Sequence, residues 1–237
     1  MPQTKIIATI GPSSKDYATM KNMALQGCNI FRINTKYGNL KQYKTIMSNA
    51  NKINRNLHKK CEILIDVKNT KLLGWLQKQT FQYLAVAFAN TVQKVFHYKK
   101  LLNRKNIKII SKIETKEALH NIKELINCSY GIMVARGDLG KNVPLAKLPL
   151  FQKEIIAKCN NSDRFVITAT EMLLSMQFNK VPERAEVSDV ANAVLDGSNA
   201  VMLSEETAIG KHPVECVKMM ISIIRETENW ENKKRKS

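Results

Sequence analysis

The sequence predicts an α/β protein of the (β/α)8 TIM-barrel class, with eight parallel strands and a shortened third helix. Three observations point there: strict alternation of strand-like and helix-like runs, a spacing of about 25–30 residues per βα unit, and a length of 237 residues, close to the roughly 250 of single barrels. The strand runs are KIIATI (5–10), NIFRIN (29–34), EILIDV (62–67), YLAVAF (83–88), IKIISKIE (107–114), YGIMVA (130–135), RFVITAT (164–170) and NAVMLSE (199–205). Each is rich in Ile, Val, Leu and Ala, and several are continuous apolar runs, as strands covered on both faces are. Amphipathic helical runs lie at 16–27, 40–53, 92–102, 116–126, 149–159, 185–197 and 213–228, with Pro213 opening one and Gly197 closing another. Only residues 68–82 separate strands three and four, which confines helix three to LLGWLQKQ (72–79). An open doubly wound sheet is the rival, but it rarely uses eight equal units and the chain offers no glycine fingerprint for it. The barrel is assigned to residues 1–228 and a basic C-terminal tail to 229–237, whose NKKRKS (232–237) is expected to fray.

Composition narrows the function classes. No stretch reaches the roughly 18 apolar residues of a membrane span, and the start, MPQTKIIATIGPSS, lacks the basic and apolar regions of a secretory signal. Five scattered cysteines (Cys28, Cys61, Cys128, Cys159, Cys216) without a CxxC pair point to a reducing, cytoplasmic setting, without disulfides or zinc. The 38 Lys plus Arg against 20 Asp plus Glu give +18, but only eight of the cations are Arg and aromatics are 6%. Nucleic-acid readers lean on Arg forks and aromatic stacking, so the excess reads as a solvated lysine surface. Neither a membrane nor a nucleic-acid partner is expected. The apolar run VKMMISIIRE (217–226) is either the last barrel helix packing inward or a surface for homo-oligomer formation.

In such barrels the chemistry sits where strands end and βα loops begin. There the sequence places Arg32 and Asn34, Asp66, Lys112 and Glu114, Arg136-Gly137-Asp138, Thr168 and Thr170, and Ser204-Glu205-Glu206. One such residue caps the next helix; polar groups at six of eight ends converge on one mouth. Glu114 and Asp138, on adjacent strands, suit a hard divalent cation such as Mg²⁺. Lys112 alternates with Glu114, so both point the same way, and an ammonium there stabilises an enolate or a transferring phosphoryl group. Arg32 and Arg136 offer charge-assisted contacts to an anion, and the loop 136–144 leads free N–H groups toward one. The constellation suggests a metal-assisted reaction on a small, doubly anionic substrate.

Several motifs resemble the pyruvate kinase family: TKIIATIGP (4–12), IKIISKIETKEALHNI (107–122), YGIMVARGDLG (130–140), PLFQKEIIAKCN (149–160), VITATEML (166–173), RAEVSDVANAVLDG (184–197) and AVMLSEETAIGKHPVE (200–215). The resemblance covers nearly the whole chain and implies the same barrel. It also implies the glycolytic reaction in which phosphoenolpyruvate gives its phosphoryl group to ADP, yielding pyruvate and ATP. By motif, Glu114 and Asp138 bind Mg²⁺ or Mn²⁺, and Lys112 stabilises the phosphoryl group and the enolate. The Arg136–Asp138 backbone, Gly137 included, and the Thr170 hydroxyl hold the substrate carboxylate. Ser204 and Glu206 lie on the proton-relay side, Arg32 contacts the phosphoryl group, and Asn34 with Asp66 contributes to a K⁺ site.

The sequence departs from the family at three places. R-x-N-F-S-H-G reads Arg32-Ile33-Asn34-Thr35-Lys36-Tyr37-Gly38, which predicts that the Lys36 ammonium replaces K⁺. D-x-K-G-P-x-I-R reads Asp66-Val67-Lys68-Asn69-Thr70-Lys71-Leu72-Leu73, with Leu73 where an arginine reaches nucleotide phosphate. The family's lid domain after strand three and its C-terminal domain have no counterpart in the sequence. Three readings therefore stay open: a minimal pyruvate kinase, a non-catalytic paralogue acting as a binding module, and a metal-dependent phosphoenolpyruvate or pyruvate enolate enzyme that does not use ADP.

Overall fold

A computed structural model describes residues 3–57 and 61–234. The strands are β1 (Lys5–Thr9), β2 (Cys28–Asn34), β3 (Glu62–Val67), β4 (Tyr83–Val86), β5 (Lys108–Ile113), β6 (Gly131–Ala135), β7 (Phe165–Ala169) and β8 (Ala200–Leu203). They pair in parallel in chain order, and β8 closes on β1. The (β/α)8 barrel is thus the observed fold.

The long outer helices are α1 (Tyr17–Gln26), α2 (Leu40–Leu57), α4 (Val92–Leu102), α8 (Leu148–Asn161), α9 (Arg184–Leu195) and α11 (Pro213–Lys234). Between α2 and α4, α3 (Leu73–Leu76) is a single turn, as the short interval requires. The helix expected over 116–126 breaks at Asn121 into α5 (Lys116–His120) and α6 (Ile122–Cys128), where the Asn121 side chain donates to the Asn90 carbonyl at 2.9 Å. Two one-turn helices in the βα loops, α7 (Arg136–Leu139) and α10 (Glu205–Ala208), were not expected. The last helix runs on to Lys234, taking in residues 232–234 of the segment expected to fray; 235–237 lie outside the described residues. Its Val217, Met220 and Ile224 are buried within the chain, so the apolar run packs inward.

Strand periodicity divides the core in two. Inside the barrel lie Ile7, Ile30, Leu64, Tyr83, Ala85, Ile110, Met133, Ile167, Ala169, Ala200 and Met202; the alternate residues meet the helices. The amino-terminal floor is shut by Tyr83, which stacks on Phe165 at 6.0 Å and donates to Glu62 at 3.0 Å. Lys5 and Glu62 join Tyr83 in closing the amino-terminal end, and with the middle filled by apolar residues the mouth is lined by the polar side chains at the carboxyl ends of the strands.

Candidate active site

Four charged residues form one chain across the mouth. The Arg32 guanidinium donates to Asp66 Oδ2 from Nε (3.1 Å) and Nη2 (2.8 Å), and its Nη1 donates to Thr9 Oγ1 at 2.7 Å. Lys112 Nζ lies 3.3 Å from the same Asp66 oxygen and 2.9 Å from Glu114 Oε1. Asp66 and Lys112 sit on β3 and β5 and meet across β4, whose inward residue beside Asp66 is only Ala85. All four are buried. Two cations and two carboxylates cancel, which makes their burial tolerable where isolated charges would not be.

Burial alone would raise Asp66, but the Lys112 and Arg32 charges outweigh it and hold this carboxyl below its usual range. Burial likewise works against the Lys112 ammonium, and the Asp66 and Glu114 carboxylates more than offset it, so Lys112 stays protonated to higher pH than a free lysine. Glu114 moves upward because burial outweighs its contacts with Lys112 and with the Phe88 backbone N–H, which donates at 2.5 Å. Phe88 presents that N–H from a left-handed conformation (φ 50°).

Asp138 follows β6 on α7 and is half-exposed, with Lys141 Nζ 3.4 Å away. The Asn142 side-chain nitrogen donates to the main-chain carbonyls of both Glu114 and Asp138, each at 3.0 Å, and so ties the two carboxylate-bearing segments together. Two carboxylates from neighbouring strand ends are a donor set that suits Mg²⁺, which takes one or two protein carboxylates and completes its shell with water and substrate oxygens. No group of three or more His, Cys, Asp or Glu able to hold a metal occurs among the described residues, so substrate oxygens are needed to complete such a shell.

Thr170 and Glu171 follow β7 with φ of 71° and 54°, a costly conformation for a β-branched residue above all. Arg136 holds them there. Its guanidinium donates to the Thr170 carbonyl (2.6 and 3.1 Å) and the Glu171 carbonyl (2.9 Å), while Asp189 on α9 accepts from its other end at 2.6 Å. Every Arg136 guanidinium nitrogen is engaged inside the protein, because the strained turn lies beside it. What the arrangement delivers is the Thr170 hydroxyl, which accepts from the Gly137 backbone N–H at 2.8 Å.

Ser204 and Glu206 lie together after β8. Glu206 is fully buried, and its carboxylate accepts from the Ser204 N–H (2.6 Å) and the Leu173 N–H (3.2 Å). Burial raises its pKa, against the pull of these donors. The buried Ser204 Oγ finds no hydrogen-bond partner among the described residues.

Asn34 accepts from the Lys36 backbone N–H at 3.1 Å in a turn closed by Gly38 (φ 81°), which directs residue 36 outward. The Lys36 ammonium lies 5.3 Å from the Tyr37 ring centroid instead of on Asn34 or Asp66. Leu73, at the position of the family's arginine, is buried as the first residue of α3.

Residues the sequence did not single out are Thr9, Asn142, Asp189 and Phe88. Three act through neutral or backbone groups, which carry no charge pattern; Asp189 has no local signal because its partner is on another element.

The fold and site define a TIM barrel with a buried, charge-balanced cluster of side chains at the carboxyl ends of its strands. The family model for the pyruvate kinase barrel domain matches residues 1–79 and 68–217, and the chain belongs to the pyruvate kinase family. It is 50% identical over 149 residues to a pyruvate kinase of Thermococcus litoralis (62% of this chain, 31% of that protein). It is 49% identical over 154 residues to one of Sporosarcina psychrophila (64% and 26%). It is 42% identical over 164 residues to one of Methanocaldococcus jannaschii (68% and 37%). The matched region thus spans about a third of these relatives' length.

Proposed function

We propose that the chain transfers the phosphoryl group of phosphoenolpyruvate to ADP, as a Mg²⁺- or Mn²⁺-dependent phosphotransferase of glycolysis. The observation that carries this reading is the buried Arg32–Asp66–Lys112–Glu114 chain beside the Thr170–Gly137 corner. Glu114 and Asp138 would hold the divalent ion, which when bound supplies Lewis-acid stabilisation of phosphoryl and enolate oxygens. Lys112 is fixed by two carboxylates, so its charge is oriented before substrate arrives, and such preorganisation is where electrostatic catalysis gains most. Arg32 adds positive potential at the phosphoryl end. The Thr170 hydroxyl, positioned by the Gly137 N–H, and the Asp138 N–H orient the substrate carboxylate.

Protonation of the enolate falls to the β8 side. Glu206 keeps a proton to higher pH than a free glutamate, and the neighbouring Ser204 hydroxyl, without a protein partner among the described residues, is the group left to bond substrate or water on this side. A K⁺ at Asn34 and Asp66 would have to share Asp66 with Arg32 and Lys112, so no K⁺ requirement is assigned. No helix among the described residues is long and apolar enough to cross a membrane. A reducing, cytoplasmic setting rests on the five scattered cysteines of the sequence, none of them in a CxxC pair.

One observation favours the ADP-independent enolate reading. Residues 68–82 hold two short helical turns where the family carries a lid, and buried Leu73 offers no charge to a nucleotide. Incubation with Mg²⁺ and phosphoenolpyruvate, with and without ADP, separates the readings. ADP-dependent pyruvate supports phosphotransfer, pyruvate without ADP supports the alternative, and Mg²⁺-dependent phosphoenolpyruvate binding without product leaves a binding module.

A further inference from the structure

The charge of +18 is not spread over the barrel. Residues 36–108 contain 16 Lys and Arg and only two acids, Glu62 and Asp66, so 14 of the 18 net charges lie in this third of the chain. A lysine-favouring composition adds cations everywhere; it does not strip acids from one side. Both acids are on β3 and committed inward, Glu62 to Lys5 and Asp66 to Arg32 and Lys112. The outer surface of this sector, formed by α2, α3 and α4, therefore presents cations without a single acid of its own.

The surface is continuous. Trp75 of α3 packs on Tyr43 of α2 with ring centroids 6.4 Å apart, and Gln77 donates to the Leu101 carbonyl of α4 at 2.8 Å. On α2, Lys41, Lys44, Ser48, Lys52 and Arg55 fall on one stripe at 100° per residue, opposite buried Tyr43, Ile46, Met47, Ala50 and Ile53. The stripe is about 21 Å long at 1.5 Å per residue. All five side chains are exposed, and no Lys or Arg of α2 or α4 forms an ion pair among the described residues.

We infer that this sector binds single-stranded nucleic acid through its phosphates, without sequence preference. Lysines with Ser and Asn between them are phosphate-contacting chemistry, and exposed Phe96 (55%) on α4 and Tyr37 (63%) before α2, each with a lysine ammonium 5.3 Å from its centroid (Lys99 and Lys36), pair a ring for base stacking with a cation for phosphate. The scarcity of arginine, which argues against base readout, does not bear on backbone binding. The outer stripe of α2 has no apolar side chain to insert into lipid, which sets a membrane surface second.

The test is fluorescence anisotropy of a labelled 20-nucleotide oligo(dT) with the full chain at 50 and 200 mM NaCl. Binding should be micromolar at 50 mM and weaken tenfold or more at 200 mM. Lys41→Gln/Lys44→Gln, both exposed and outside the ion pairs of the described residues, should weaken it about tenfold and lower the log–log salt slope by about 1.4, at roughly 0.7 per lost phosphate contact. Lys123→Gln/Lys218→Gln, on α6 and α11, should change it less than twofold, with circular dichroism verifying that both variants fold. No binding at 50 mM, unchanged binding by the α2 variant, or equal loss in the control overturns the inference. So does tighter binding to vesicles containing 30% phosphatidylserine, which would assign the sector to membranes.

Discussion

Replacing Asp66 with Asn tests the charge chain where it is most concentrated. One oxygen, Oδ2, takes Arg32 Nε at 3.1 Å and Nη2 at 2.8 Å and faces Lys112 Nζ at 3.3 Å. Asn preserves shape and leaves one neutral acceptor, so the variant buries two cations against the single charge of Glu114. Breaking a buried pair by removing one partner costs about 3–5 kcal/mol, and the retained carbonyl places Asp66→Asn near the lower end. For a domain of this size each kcal/mol moves Tm by about 2–4 °C, so Tm should fall by about 6–12 °C. The assay is thermal melting by circular dichroism at pH 7. Because Asp66 titrates below its usual value, its stabilisation is present above the unfolded carboxyl pKa of about 3.9. It is lost as pH falls through the lower folded value, so wild type and variant should converge in acid. A Tm loss under about 3 °C at pH 7, or a gap that persists in acid, would refute the reasoning.

Other perturbations separate chemistry from fold. Lys112→Met should reduce pyruvate formation by about 1,000-fold or more, since it removes the charge opposite the developing anion, while circular dichroism at 25 °C stays native; a loss under tenfold would move the chemistry elsewhere. Asn142→Ala should raise the Mg²⁺ dissociation constant about tenfold by untying the Glu114 and Asp138 segments, read by titration calorimetry with phosphoenolpyruvate present; unchanged affinity contradicts the tie. Glu171→Gly should relieve left-handed strain of about 1 kcal/mol and raise Tm by about 2–4 °C; a lower Tm would show that the side chain contributes more than its backbone costs.

The barrel was legible because strand identity depends on apolar runs and the closed topology follows from their number and alternation. Lys112 and Glu114 were legible as a pair because period-two alternation puts them on one face. The Lys112 contact with Asp66 was not, since it depends on the small Ala85 on the strand between. Arg136 shows the opposite case. Its place after β6 reads as substrate contact, yet its partners are the carbonyls of a strained turn and an aspartate on α9, none of which sequence spacing reveals. Lys36 differs for a local reason: the turn closed by Gly38 sends its side chain away from Asp66. The acid-free sector was visible as numbers all along, but became a surface only when α2, α3 and α4 proved adjacent.

The most direct measurement is the ratio of ATP to pyruvate formed by the purified chain with Mg²⁺, phosphoenolpyruvate and ADP, followed by phosphorus NMR with a coupled lactate dehydrogenase readout. Phosphotransfer predicts one ATP per pyruvate and no product when Mg²⁺ is chelated. Pyruvate accompanied by inorganic phosphate, or no pyruvate at all, would contradict it.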